Sequence, residues 1–77
     1  MKTEIGQAMR KLRKAKKMTQ DTLAEKLGVA PANISRYEKG QQGIEVDKLP
    51  TLADALGVSV PEFFAIASGA EVDNFEP

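Results

Sequence analysis

Seventy-seven residues without a cysteine or a histidine make one small domain, one that neither disulfides nor the usual zinc and iron sites can staple, so no metal or cofactor is expected. The 42% hydrophobic content is ordinary for a globular chain and no apolar run is long enough for a membrane span; the basic first seventeen residues lack the apolar core of a secretory signal, so a cytoplasmic protein without a membrane partner is expected. The formal net charge of zero is unevenly spread: residues 1–40 carry ten Lys/Arg against four Asp/Glu (+6), and residues 41–77 carry one Lys against seven acids (−6). A basic half that faces a polyanion would produce this split, and so would a solvated lysine-rich helix surface.

Thr3 is placed to cap a first helix running to about Lys16, with Ile5, Met9 and Leu12 on one stripe and Arg10, Lys11, Arg13, Lys14 and Lys17 mostly off it. Gly6 weakens its first turn. Met18 is expected to plug the core as the chain turns, and Thr19 to cap a second helix whose apolar stripe is Leu23, Ala24 and Leu27. Gly28 and Val29 allow only a sharp turn before Pro31. Proline suits the first position of a third helix, because its φ is preset and the N–H it lacks would have had no partner there. Gly40 suits the left-handed residue that closes this helix. Pro31–Lys39 is then a helix of about two and a half turns. Ile34 and Tyr37 share its inward face, while Ala32, Ser35, Arg36 and Lys39 point the other way. Two short amphipathic helices around a glycine turn make a helix-turn-helix.

Gln41–Lys48 reads as a loop. Pro50 cannot sit deep inside a helix, so a fourth helix should start near Lys48 or Leu49 and run to Leu56, burying Leu49, Leu52, Ala53 and Leu56 before Gly57 ends it. Ser59 and Glu62 fit a capping box opening a fifth helix through about Ala67, to which Phe63 and Phe64 supply most of the apolar area. The expected fold is all-α: a five-helix domain over residues 1–67, followed by a flexible acidic tail over residues 68–77.

Catalysis needs an activated nucleophile, a carboxylate pair in a cleft or a metal. Thr3, Thr19 and Ser59 read as caps, Ser35 lies on an open helix face and Ser68 in the tail, so an enzyme is not expected. DNA binding asks for less. A helix with short outward residues near its N-terminus, here Pro31 and Ala32, can approach a major groove about 12 Å wide. Arg36, one turn on, is long enough to reach a base edge, and guanidinium to guanine is the commonest specific contact. Ser35 can bond a base or a phosphate. Gln20 opens the second helix, where its amide and the free backbone N–H groups suit a phosphate, with a solvated first-turn glutamine as the lesser alternative. Asn33 can bond either the backbone or a phosphate.

The run T-Q-D-T-L-A-E-K-L-G-V-A-P-A-N-I-S-R-Y-E-K-G resembles the helix-turn-helix of the phage repressor and Cro family, the XRE-like regulators. The likeness continues through L-P-T-L-A-D-A-L-G-V-S-V-P-E-F-F and so covers roughly Ile5 to Phe64. It implies a lambda-repressor-like fold in which Pro31, Ala32, Ser35 and Arg36 meet bases. Pro31 and Ala32 depart from the polar residues often found there and offer at best apolar contact to thymine methyls. The resemblance also implies phosphate contacts from Gln20 and from the loop region of Lys39, Gln41 and Gln42, where glutamines replace the family's usual lysines or arginines. Asn33 and Lys17 are further phosphate candidates, and Arg13 and Glu38 match a pair that joins the first helix to the end of the recognition helix.

The expected function is sequence-specific transcriptional regulation, as a repressor acting as a homodimer on a palindromic operator in double-stranded DNA at the nucleoid. Ile44, Val46, Val60 and Phe64 are the candidate dimer surface; Val60 and Phe64 serve equally well as core. The rival from another class is an antitoxin or protein-binding helix-turn-helix module, with the acidic C-terminal part turned to a protein partner.

Overall fold

Proline and glycine punctuation sets most of the helix ends in the computed structural model, which describes residues 1–69. The elements are α1 (Lys2–Ala15), α2 (Gln20–Leu27), α3 (Pro31–Glu38), a 3₁₀ turn over Val46–Lys48, α4 (Leu49–Ala55) and α5 (Val60–Ala67). The five expected helices are all present, and among the described residues there is no strand. The expected tail lies almost wholly outside the described residues.

Each helix end has a local cause. The Thr19 hydroxyl accepts the Thr22 backbone N–H at 3.1 Å and starts α2. Pro31 occupies the first turn of α3. At the far end of α3, Gly40 sits at φ 72, the Gly40 N–H donates to the Tyr37 carbonyl at 3.1 Å and the Gln41 N–H to the Arg36 carbonyl at 2.9 Å. That is a Schellman motif, and it bends the following loop back over the helix. The capping box of α5 is reciprocal: Ser59 N–H donates to Glu62 Oε1 at 2.9 Å, and Glu62 N–H donates to Ser59 Oγ at 3.2 Å. The Ser59 backbone N–H, helped by its hydroxyl, holds the Glu62 carboxyl below its ordinary range.

Three details differ from the sequence expectations. Thr3 is not a cap: the first turn of α1 closes two residues earlier, on Ile5 N–H to Met1 C=O at 3.0 Å, so Thr3 is already helical, and it lies against Gly40. Second, α1 ends without a glycine. Lys17 adopts φ 56, with its N–H on the Lys14 carbonyl and the Met18 N–H on the Arg13 carbonyl, both 2.9 Å. It makes the same left-handed closure as a glycine at some steric cost. Third, Leu49 is only half-buried, because it is the first residue of α4 and its side chain packs at the edge of the core.

Met9, Leu23, Ile34, Leu52, Leu56 and Phe63 form the fully buried centre, contributed by all five helices. Each buried side chain of this size stabilises by about 1.5–3 kcal/mol, in a domain whose net stability should be roughly 4–11 kcal/mol, so none is expendable. α1 packs on α3 and α5, and α2 on α3 and α4. The α1–α3 crossing depends on Gly6. A Cβ there would overlap the Tyr37 carbonyl oxygen and come within 2.9 Å of the Glu38 carbonyl oxygen. Gly6 therefore brings α3 against α1, which outweighs the helix propensity it gives up.

Candidate nucleic-acid interface

α3 divides cleanly. Ile34 and Tyr37 are buried in the core, while Pro31, Ala32 and Arg36 are exposed and Ser35 is half-exposed. The four residues expected to meet bases thus share one helix, and none is consumed by packing.

The angle of that helix is held by its last residue. Glu38 is buried, and its Oε2 accepts Arg13 Nε at 2.6 Å while Oε1 accepts Arg13 Nη2 at 3.1 Å. Glu38 Oε1 also accepts Gln20 Nε2 at 3.0 Å, and Arg13 Nη1 donates to the Met18 carbonyl at 2.8 Å. The Glu38 carboxylate therefore ties α1 and α2 to α3, and through Arg13 the junction also reaches the turn before α2. Among the described residues no buried side-chain nitrogen or oxygen lacks a partner, so this desolvated pair meets the condition under which a buried charge is tolerated. The family resemblance paired Arg13 with Glu38 but did not connect Gln20 to that pair. Gln20 opens α2, so its side-chain amide, bonded to Glu38, sits in the first turn of that helix, whose leading backbone N–H groups no helical carbonyl can reach.

Arg36 has partners of its own. Its Nε donates to Gln42 Oε1 at 2.9 Å, and its Nη2 donates to Asn33 Oδ1. Asn33, a candidate for either backbone or phosphate, and Gln42, placed at phosphate by the resemblance, are both half-buried and bonded to Arg36. Lys39 and Gln41 are exposed just past α3, and Lys17 is exposed at the left-handed turn two residues before Thr19 starts α2. These three stay on the surface with no side-chain hydrogen bond found to them among the described residues.

The dimer candidates fall into three environments. Val46, at 80% exposure, is free; Ile44 is half-buried against the core. Val60 and Phe64 are half-buried outside the core cluster, with the Phe64 ring edge-on to Phe63 at a 5.9 Å centroid separation.

Among the described residues no three acidic side chains are grouped to hold a metal ion, and no single helix is long and apolar enough to cross a membrane.

The Helix-turn-helix family pattern matches residues 9–63. A transcriptional regulator in the ATPase CF(0) region of Rhodospirillum rubrum is 38% identical over 61 residues, covering 79% of this chain and 56% of its own length. The competence pilus inhibition repressor of Acinetobacter baylyi is 38% identical over 68 residues, covering 88% of this chain and 62% of its own. The chain thus spans little more than half the length of these relatives. The crystal structure of the clp gene regulator ClgR from Corynebacterium glutamicum superposes with a TM-score of 0.84 at 32% identity, over 88% of this chain and 72% of that one.

Proposed function

The chain belongs to the XRE-like helix-turn-helix family of transcriptional regulators, DNA-binding proteins rather than enzymes, and on that premise we propose that it is a repressor that reads a palindromic operator as a homodimer. The observation that carries this reading is α3 itself: an outward face short at Pro31 and Ala32, a single guanidinium one turn later at Arg36, and a tilt locked by the Glu38 junction. A helix so shaped enters a major groove about 12 Å wide N-terminus first, and Arg36 and Ser35 come level with base edges while Pro31 and Ala32 lie against thymine methyls. The Gln20 amide and the start of α2 take one phosphate; Lys17, Lys39 and Gln41 meet the sugar-phosphate backbone to either side.

Residues 1–67 form the DNA-binding unit, and its working place is the nucleoid. One such unit reads too few base pairs for the specificity a genome demands. Two copies related by a two-fold axis double the contacts and set the recognition helices about 34 Å apart, one turn of DNA. Val46, Val60 and Phe64 offer exposed or half-exposed apolar surface for that contact, joined by the half-buried Ile44. So small a patch buries less than a stable free dimer needs, and DNA completes the assembly. Occupying the operator then blocks transcription. Sedimentation with and without a palindromic duplex tests this: two subunits per site, bound cooperatively, is the expected result, and one subunit per full site without cooperativity would contradict it.

A further inference from the structure

We infer that Asn33 and Gln42 are positioning residues that hold the Arg36 guanidinium edge-on toward a guanine, rather than contacts to phosphate. The inference rests on the reading of α3 as the base-reading helix. Arginine carries five N–H donors in a fixed plane. Nε and Nη2 lie along one edge of that plane, and in Arg36 this edge is occupied by two carboxamide oxygens, Gln42 Oε1 at 2.9 Å from Nε and Asn33 Oδ1 on Nη2. Arg13 shows the contrasting use of the same edge. There it meets the Glu38 carboxylate, which neutralises the charge, and Nη1 is spent on the Met18 carbonyl. The partners of Arg36 are neutral, so its charge is kept, and among the described residues its outer edge, Nη1 with the second hydrogen of Nη2, stays open. That edge is two parallel donors. In the major groove guanine offers two adjacent acceptors, N7 and O6, whereas adenine sets an amino group beside N7.

Both supports come from the local fold. Asn33 precedes Arg36 by three residues and so lies beside it on the helix surface. Gln42 is remote along the helix but is returned to it by the left-handed turn at Gly40, where the Gln41 N–H closes on the Arg36 carbonyl at 2.9 Å. A long flexible side chain that is fixed before binding loses less freedom when it binds, so the clamp should strengthen the contact and sharpen the choice of base.

The test uses a duplex selected by the intact chain from a random library, with each half-site guanine changed in turn to adenine or to 7-deazaguanine, which lacks N7. The intact chain should lose about 5- to 150-fold at one guanine on change to adenine, with a loss at the same position for 7-deazaguanine. Asn33→Ala and Gln42→Ala should each shrink that ratio by about 2- to 12-fold, leave affinity for a scrambled duplex unchanged, and have no further effect on the ratio in an Arg36→Ala background. Equal weakening on selected and scrambled duplexes would make them phosphate contacts, and an unaltered ratio would make them bystanders; either overturns the proposal while Arg36 still reads a base. If Arg36→Ala itself leaves the ratio intact, or the selected half-site contains no guanine, the base-reading role of Arg36 fails and the proposal falls with it.

Discussion

Replacing Gly6 by alanine separates two opposite expectations. In an ordinary helix interior the change stabilises, because alanine is favoured over glycine by about 0.8–1 kcal/mol. Here the added methyl would overlap the Tyr37 carbonyl oxygen and press on the Glu38 carbonyl at 2.9 Å, and both obstacles are backbone, so neither can rotate away. Relief requires α1 and α3 to separate by on the order of 1 Å, and overpacking of that kind costs about 1–3 kcal/mol or more. The crossing is anchored on both sides, by Arg13 on Glu38 next to the contact and by Met9, Leu12, Ile34 and Tyr37 in the core. Subtracting the propensity gain leaves a net destabilisation of up to about 2 kcal/mol. Urea denaturation followed by far-UV circular dichroism measures it as a lowered midpoint at constant slope. Because Tyr37 and Glu38 end the recognition helix, DNA affinity should fall as well under conditions where the variant is fully folded. A variant more stable than the parent would refute the close approach and, with it, the account of how α3 is held.

Other perturbations have equally definite signs. Arg13→Met strands a buried carboxylate and should cost about 3–5 kcal/mol, while Arg13→Met with Glu38→Leu should recover most of the stability but little of the DNA affinity, since Gln20 and α3 lose their common anchor; a single variant costing under about 1 kcal/mol in urea melts would mean the pair is not desolvated. Lys17→Gly should stabilise by up to about 1 kcal/mol by relieving the left-handed backbone, and should make the log–log salt dependence of DNA binding shallower by about 0.9 if this lysine neutralises one phosphate; an unchanged slope removes Lys17 from the interface. Ser59→Ala should lower stability by about 1 kcal/mol through loss of the α5 cap. Glu62 should nevertheless keep a lowered pKa in that variant, because the larger cause, the backbone N–H of residue 59, survives. The sign follows: a carboxyl with a lowered folded-state pKa stabilises fully above the ordinary glutamate range, and that contribution disappears as pH falls through the lowered value. NMR titration of Glu62 at its ordinary position in Ser59→Ala would contradict the assignment.

The parts of the fold legible in the sequence are those whose causes are local. Pro31, Gly40 and the Ser59–Glu62 box each act within a few residues, and the structure has the helix ends where they imply. The inward row of Ile34 and Tyr37 follows from helical periodicity alone. What stayed hidden depends on contacts between segments. Gly6 reads in sequence as a weak first turn because the carbonyls it admits belong to residues about thirty positions away. Lys17 turns left-handed without a glycine, so no residue type announced it. Arg13 and Glu38, 25 residues apart, are paired by resemblance and not by any spacing rule. The Gln42 support for Arg36 exists only once the Gly40 turn has folded the loop back, whereas the Asn33 support lies at helical spacing and could have been read from it.

Selection of binding sites from random DNA duplexes by the intact chain reaches the central claim most directly. It should enrich a palindrome whose half-sites lie about one helical turn, 10–10.5 base pairs, apart, each holding a guanine whose enrichment is lost with Arg36→Ala. A pool left without a motif, or a motif unchanged by Arg36→Ala, would contradict sequence reading by α3.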